Sequence, residues 1–343
     1  MSALRAFQDR QRPLCLRKRR PEMTAWLLSG LGLLILLLAG DALVRGAVNL
    51  SLRLGVPALI VSLTIVAFGT SAPELLIAIS AIKENAPGIA LGNVVGSNTA
   101  NILLVLGLPA LLATLHTSEC DSRKNYVFML LATVLFIGLA FLGEFNLFSG
   151  AILLAALTLV LWNAFREARA HRKACGEACE DDEELDGLEE ADPNMPYWKL
   201  SIYLVLGLIG LPMGAHLLVE NATEIARTYG VSETVIGLTL IAIGTSLPEL
   251  ATTVMAALRR QADVALGNVI GSNMFNLLAI IGIATLFGNI PVDPEFLSFD
   301  LWVMLGASVL LVPFVFFKKD ITRTWGLVLT FLYVLYIAIV LTY

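Results

Sequence analysis

Long runs of residues without a charged side chain are the feature that most restricts the fold of this chain. Three such runs cover 24–40, 126–143 and 325–343. Apolar stretches of about 17 to 25 residues cross the hydrocarbon core of a bilayer as helices. Of the 343 residues, 57% are hydrophobic and only 15% are charged, whereas about a quarter are charged in soluble domains. The sequence therefore predicts an all-α polytopic membrane protein whose partner is the lipid bilayer and not a nucleic acid.

Polar residues divide the apolar sequence into about ten predicted membrane spans. The expected ranges are 24–44, 55–82, 87–114, 125–143, 147–165, 197–220, 231–258, 263–287, 299–317 and 324–342. Five spans fall in 24–165 and five in 197–343, on either side of an acidic segment, 166–196, that we interpret as a solvated cytoplasmic linker. Residues 1–22 form a basic amino-terminal tail. We expect Met23 to be the native initiator, which would place this tail outside the native product.

An internal duplication relates the two sets of five helices. The stretch GTSAPELL at residue 69 recurs as GTSLPELA at residue 244, and without gaps 18 of the 39 positions in 69–107 and 244–282 are identical. The identical residues are mostly Gly, Asn, Ser, Thr, Pro and Glu, which chance similarity between apolar helices does not produce. Because five is an odd number, the second copy enters the membrane with the opposite orientation. Many secondary transporters have such inverted repeats, with the substrate site near the bilayer midplane.

The distribution of Lys and Arg indicates how the chain is oriented in the membrane. If the amino terminus lies outside, the inner loops carry 14 Lys and Arg residues, whereas the outer loops carry only Lys83 and Arg227. Cytoplasmic loops are enriched in basic residues. The sequence therefore predicts that both termini lie outside, although the seven basic residues of the tail 1–22 would favour the inside.

Each repeat contains a proline and a glutamate within a predicted span. Pro73 and Pro248 lack the backbone donor for the carbonyl four residues earlier, so each predicts a broken or kinked helix with free carbonyl oxygens. Glu74 and Glu249 follow directly, and an ionisable residue at bilayer depth is costly and indicates function. Hydroxyl groups precede each proline, on Thr70, Ser71, Thr245 and Ser246.

A second motif, GNVVGSNTAN and its copy GNVIGSNMFN, supplies further oxygen atoms. Its amides and hydroxyls recur every four residues and share one helical face: Asn93, Ser97 and Asn101, and then Asn268, Ser272 and Asn276. The glycines at 92, 96, 267 and 271 favour close contact between helices. Ligands that are all oxygen atoms suit hard cations such as Na⁺ and Ca²⁺.

The two glutamates define the charge that the site must bind. Inverted repeats that meet across a pseudo-twofold axis bring Glu74 and Glu249 together, and buried carboxylates repel each other unless a proton or a cation neutralises them. One Ca²⁺ balances both charges, and Na⁺ ions or protons balance them in its absence. A site that these ions occupy alternately from each side predicts an antiporter, which transports its ions as substrates and needs no cofactor.

These repeats resemble those of the calcium/cation antiporter superfamily, in its sodium/calcium exchanger branch and among bacterial inner-membrane members. GTS rather than a GN-type motif favours the sodium-coupled branch over the proton-coupled one. The resemblance implies that Glu74 and Glu249 are the central calcium ligands, and that Asn101 and Asn276 line the centre. It adds further calcium and sodium ligands, which are Thr70, Ser71, Thr245, Ser246, Ser97, Ser272 and the carbonyls of Ala67 and Ala242. It also implies a bacterial inner-membrane location, and sliding of the first and sixth helices over the bundle.

Several alternatives remain within transport and outside it. Some relatives carry Asp where this chain has Asn101 or Asn276, so coupling to K⁺ stays open, and exchange of Ca²⁺ for H⁺ is the main competitor. A cation channel usually needs rings of identical groups, which one duplicated chain does not offer. An enzyme is not expected, because no HExxH or similar constellation is present. Asp41 and Glu220 do not recur as acids at the offset of 175, and we interpret them as helix-end residues.

Overall fold

The structure of the chain is a computed structural model. It describes the backbone of residues 23–178, 192, 195–231, 242–294 and 296–342, and within these ranges the side chains of 172–178, 242 and 341 lie outside the description. The basic tail, most of the acidic linker and part of the predicted seventh span therefore lie outside the described residues.

Twelve helical segments build the described part of the chain. They are α1 Met23–Leu54, α2 Ala58–Thr70, α3 Ala72–Lys83, α4 Pro87–Leu112, α5 Arg123–Ala140, α6 Leu147–Ala178, α7 Tyr197–Thr228, α8 Ala242–Thr245, α9 Leu247–Leu258, α10 Ala262–Ala284, α11 Phe296–Phe316 and α12 Arg323–Thr342. Two short strands, β1 Glu144–Phe145 and β2 Ile290–Pro291, pair antiparallel and connect the repeats at one end.

The number of membrane spans can be compared with the ten that the sequence predicts. Within the described residues, eight helices are long and apolar enough to cross a membrane, or nine if α2 and α3, which bend by 40° at their junction, form one span. The predicted seventh span, 231–258, includes α8 and α9, but residues 232–241 lie outside the description. The all-α membrane fold is confirmed, and the tenth span stays a prediction.

The first and sixth predicted spans are longer than expected. The helix α1 continues to Leu54 rather than 44, and α7 continues to Thr228 rather than 220. The interpretation of Asp41 and Glu220 as helix-end residues is therefore wrong. Hydropathy detects only the apolar part of a helix, whereas i,i+4 pairs between side chains support its polar continuation. Asp41 pairs in this way with Arg45 at 2.9 Å.

The helices α4 and α10, which carry the motif GNVVGSNTAN and its copy GNVIGSNMFN, form the centre of the molecule. The most apolar window of α10 is 100% buried and that of α4 is 78% buried, against 33% in α1 and 22% in α7. The helix α10 lies against α2, because a Cβ atom at Gly271 would be only 2.5 Å from the carbonyl oxygen of Leu63. The predicted close contact is thus present in the second repeat. The counterpart of α2 at the offset of 175 falls mainly in 232–241, outside the description.

The helices α1 and α7 form a closely packed pair on the outside of this core. They run in opposite directions, with Gly32 beside Leu218 and Gly46 beside Leu204, and a Cβ atom at Gly32 would be 2.6 Å from the backbone nitrogen of Leu218. Their outer faces carry large exposed apolar side chains such as Trp26, as expected for contact with lipid. The two helices that the resemblance implies to be mobile therefore form one packed unit.

Candidate ion-binding site

A helix break precedes each of the two glutamates. The first break, Ser71, separates α2 from α3, and the second, Ser246, separates α8 from α9. Ser71 has φ −87° and ψ 3°, and Ser246 has φ −87° and ψ 4°, so the two breaks have nearly the same backbone geometry. Pro73 and Pro248 occupy the first turn of the following helix, where a missing N–H group costs no intrahelical bond. The predicted interruptions are present in both repeats.

The two carboxylates are buried at the start of these helices. Glu74 and Glu249 lie in the first turns of α3 and α9, are each 1% exposed, and are close enough to interact electrostatically. Neither makes an ion pair with a residue of the described chain. A helix N-terminus stabilises a carboxylate only partly, and buried charge without a partner is strongly unfavourable. The pair therefore favours a bound cation or protons.

Hydrogen bonds join the first GTS motif to the second repeat. The hydroxyl of Ser71 donates to Oε1 of Glu249 at 3.3 Å. The hydroxyl of Thr70 donates to Oδ1 of Asn268 at 3.3 Å and lies 3.4 Å from Oγ of Ser272. Residues 178 to 202 positions apart in sequence thus meet in one buried cluster, as the inverted duplication predicts.

The amide of Asn268 also supports the glutamate that it approaches. Its Nδ2 atom donates to the main-chain oxygen of Glu249 at 3.4 Å and to the hydroxyl of Thr253 at 3.3 Å. In the first repeat, Nδ2 of Asn93 is buried without a partner in the described chain. One reason is that Thr253 corresponds to Ala78, which has no hydroxyl. The equivalent amides therefore have different surroundings.

Buried polar atoms without a hydrogen-bond partner are concentrated at this place. Eleven such side-chain atoms occur among the described residues, and six belong to the predicted site: Oε2 of Glu74, Nδ2 of Asn93, Oδ1 of Asn101, Oγ of Ser246, Oε2 of Glu249 and Oδ1 of Asn276. Each unsatisfied buried group costs about 1–3 kcal/mol. Five of the six are oxygen atoms, which a hard cation takes as ligands.

Comparison with known protein families identifies the family of the chain. Residues 24–166 and 199–342 match the family described as "Sodium/calcium exchanger protein", and they include both repeats. The chain belongs to this family.

Individual relatives of this exchanger cover most of its length. Sodium/calcium exchanger MaX1 of Methanosarcina acetivorans is 33% identical over 338 residues, which span 90% of this chain and 96% of the relative. Inner membrane protein YrbG of Escherichia coli K12 is 36% identical over 280 residues, 81% and 85% of the two chains. A solved structure of the sodium-calcium exchanger NCX_Mj, soaked with 10 mM Na⁺ and zero Ca²⁺, matches with a TM-score of 0.77 and 31% identity over 92% of this chain and 98% of that one.

The remaining predicted site residues of the exchanger lie in different surroundings. Ser97, Asn101 and Asn276 are buried on α4 and α10, whereas Thr245 is half-buried and has a partner of its own. The carbonyl oxygen of Ala67 accepts a hydrogen bond from the backbone nitrogen of Ser71 at 3.0 Å, and the hydroxyl of Thr70, whose single hydrogen it shares with Asn268, lies 3.3 Å away. An ion at this carbonyl would therefore compete with these two groups. Ala242 is the first residue of α8.

Two central residues are missing from the sequence-based site. Asn98 and Asn273, each 1% exposed, hold α4 and α10 together through their side chains. A search for side chains at every fourth position selects Asn93, Ser97 and Asn101 and passes over Asn98. The available signal was identity between the repeats, since Asn98 and Asn273 are one of the 18 matching pairs.

Proposed function

We propose that this exchanger is a secondary active antiporter that exchanges Ca²⁺ for Na⁺ by alternating access at a site centred on Glu74 and Glu249. The observation that carries the proposal is the pair of buried carboxylates, 1% exposed each, surrounded by buried oxygen atoms without a protein partner. Bound Ca²⁺ would neutralise both charges at once. When Ca²⁺ leaves, other cations must take its place, because two ionised carboxylates at low dielectric repel each other.

The ligands beside the two glutamates determine which cations fit. The proposed set contains the hydroxyls and carboxamides of the two repeats and the carbonyls of Ala67 and Ala242, all of them neutral. Na⁺ is therefore balanced only by the two carboxylates, which limits the sodium charge that can replace one Ca²⁺ without excess. Because Asn101 and Asn276 at the centre are neutral, the two glutamates are the charged ligands of this proposed set.

A difference between the two repeats supports alternating access. The helix α1 packs along α9 so closely that a Cβ atom at Gly40 would be 3.0 Å from the carbonyl oxygen of Ala251. The equivalent pair, α7 and α3, makes at most marginal contact. Ala251 is 7% exposed, whereas its counterpart Leu76 is 67% exposed. Such an asymmetry is what one end state of a transporter built from inverted repeats would have.

Uptake of ⁴⁵Ca²⁺ into proteoliposomes, with sodium and proton gradients imposed separately, tests the proposed coupling. We expect an outward Na⁺ gradient to drive uptake, with saturation at high Ca²⁺ and no requirement for K⁺. Liposomes that contain the Glu74→Gln/Glu249→Gln variant serve as the control for leak. Uptake that only a proton gradient drives would contradict Na⁺ coupling, and uptake that never saturates and needs no counter-ion would indicate a channel.

A further inference from the structure

Asn98 and Asn273 occupy equivalent positions at the centre of the molecule. Each directly follows a serine of the predicted site, Ser97 or Ser272. Neither belongs to the series of site residues that recur at every fourth position. Each is 1% exposed, so each carboxamide needs protein partners for both its donor and its acceptor groups.

These two carboxamides bind each other's backbone. Nδ2 of Asn98 donates to the main-chain oxygen of Asn273 at 3.2 Å, and Nδ2 of Asn273 approaches the main-chain oxygen of Asn98 at 3.5 Å. This reciprocal pair joins α4 of the first repeat to α10 of the second. It leaves the Oδ1 atoms of both asparagines free to accept hydrogen bonds from other groups.

The two Oδ1 atoms fix the orientation of the neighbouring site amides. Oδ1 of Asn98 accepts from Nδ2 of Asn276 at 3.0 Å, and Oδ1 of Asn273 accepts from Nδ2 of Asn101 at 3.1 Å. The oxygen of a carboxamide lies on the opposite branch from its nitrogen, so Oδ1 of Asn101 and Asn276 is directed away from these partners. Both of these oxygens are buried and have no partner within the described chain.

We propose that Asn98 and Asn273 are positioning residues that hold Asn276 and Asn101 with their oxygen atoms toward the transported cation. The proposal rests on the proposed two-glutamate site. If either site amide rotated by half a turn, its NH₂ group would take the place of the oxygen, and an N–H donor repels a cation. The contacts cross between the repeats, because Asn98 holds Asn276 and Asn273 holds Asn101. Each half of the chain thus orients the ligand of the other half.

This crossing makes the proposal testable by double-mutant cycles on ⁴⁵Ca²⁺ binding to the purified, full-length exchanger. We expect Asn98→Ala and Asn276→Ala to weaken binding together by much less than the product of their separate effects. The deficit should be about 2- to 150-fold, the range for directly interacting residues. The control cycle, Asn98→Ala with Asn101→Ala, uses the same residue types within one repeat, where the two side chains are linked in the described chain only through Asn273, and its coupling should be clearly smaller. The cycles that start from Asn273→Ala should give the mirror pattern, with coupling to Asn101.

Several results would overturn this assignment. Coupling within a repeat that equals the coupling between repeats would indicate general packing and not orientation of particular ligands. If Asn98→Ala fails to give a monodisperse protein, Asn98→Asp replaces it, since the acid keeps the acceptor for Asn276 and should bind Ca²⁺ at least as tightly as the unsubstituted chain. Weaker binding than in the unsubstituted chain would then contradict the proposal. Failure of the proposed function looks different, because the unsubstituted chain itself would then bind no Ca²⁺.

Discussion

The two proline–glutamate helices have nearly the same backbone but very different neighbours. The helix α9 lies beneath α1, whereas α3 has only marginal contact with α7. The difference extends to the breaks before them, since Ser71 donates a hydrogen bond to Glu249 while the hydroxyl of Ser246 is buried without a partner in the described residues. Two similar sequences thus adopt two different arrangements within one molecule. If each repeat can adopt both arrangements, the reverse combination opens the other face.

Charged residues at the ends of α3 and α9 follow the same division. Asp41 accepts hydrogen bonds from Arg45 on its own helix and from Arg259, the residue after α9. At the offset of 175, these three residues correspond to His216, Glu220 and Glu84, so a histidine replaces the aspartate and glutamates replace both arginines.

The second set of charges is not assembled. On α7, Nδ1 of His216 lies 3.5 Å from Oε2 of Glu220, and the two side chains are 79% and 69% exposed. Glu84 is also exposed, and its side chain has no partner among the described residues. Asp41 and Arg259 are thus in contact, whereas no contact joins their counterparts His216 and Glu84 in the described residues. If the two repeats exchange arrangements, we expect Glu84 and His216 to come into contact in the reverse arrangement.

We expect the largest effect when a substitution removes one of the buried glutamates, which both repeats share. Glu74→Gln and Glu249→Gln should each reduce Na⁺-driven ⁴⁵Ca²⁺ uptake to the level of empty liposomes, because one carboxylate cannot balance a divalent cation. Glu119→Gln, which alters an exposed acid, is the matched control and should transport normally. Near-normal uptake by either buried variant would remove the basis for comparing the two helices.

Cysteine pairs test whether the two charge contacts alternate. In a chain with Cys15, Cys120, Cys175 and Cys179 changed to Ser, oxidation should link Asp41→Cys to Arg259→Cys and, in a separate protein, Glu84→Cys to His216→Cys. Each disulfide should arrest exchange in proportion to its yield, and reduction should restore it. Conditions that raise the yield of one pair should lower that of the other. A Glu84–His216 pair that never cross-links, although its protein transports, would contradict the reverse arrangement.

A larger side chain at the covered interface should have an intermediate effect. Gly40→Val would place its side chain against the carbonyl of Ala251, which lies 3.0 Å from a Cβ atom at this position. Overpacking costs about 1–3 kcal/mol, so the equilibrium ratio of the covered state to the uncovered state should fall about 5- to 150-fold, and initial exchange rates should fall with it. Gly30→Val is the control, since nothing lies within 4 Å of its Cβ position. Equal rates for the two variants would show that α1 need not pack on α9 during transport.

The smallest effect should distinguish the two serines at the helix breaks. In buffer without Na⁺ or Ca²⁺, where protons neutralise the glutamates, Ser71→Ala should lower the free energy of unfolding by about 0.5–1.5 kcal/mol, because a hydrogen bond to a buried carboxyl group is lost. Ser246→Ala should leave it unchanged or raise it, since this hydroxyl has no partner in the described chain. Denaturation followed by tryptophan fluorescence measures both. Equal losses would mean that the two breaks do not differ in solution.

The sequence predicts the features that both repeats share more reliably than those that differ. The duplication, Pro73 and Pro248, the buried glutamates and the site amides follow from residue chemistry and spacing. The positions of Asp41 and Glu220 within long helices do not, because hydropathy ends where polar residues begin while the helix continues. The roles of Asn98 and Asn273 were not predicted, because their hydrogen-bond partners lie in the other repeat. The spacing of residues within one helix does not reveal such contacts. The difference in packing between α3 and α9 is a property of the conformation. It cannot be predicted from two repeats whose sequences match.

Competition between the two ions for one site tests the central claim most directly. Equilibrium binding of ⁴⁵Ca²⁺ to the purified exchanger should be measured over a series of Na⁺ concentrations, with the Glu74→Gln/Glu249→Gln variant in parallel. If Ca²⁺ and Na⁺ share the two-glutamate site, Na⁺ raises the apparent Kd for Ca²⁺ without changing the number of binding sites, and the double variant binds neither ion. Na⁺ that leaves the Kd unchanged, or a double variant with unchanged Ca²⁺ affinity, would contradict the account.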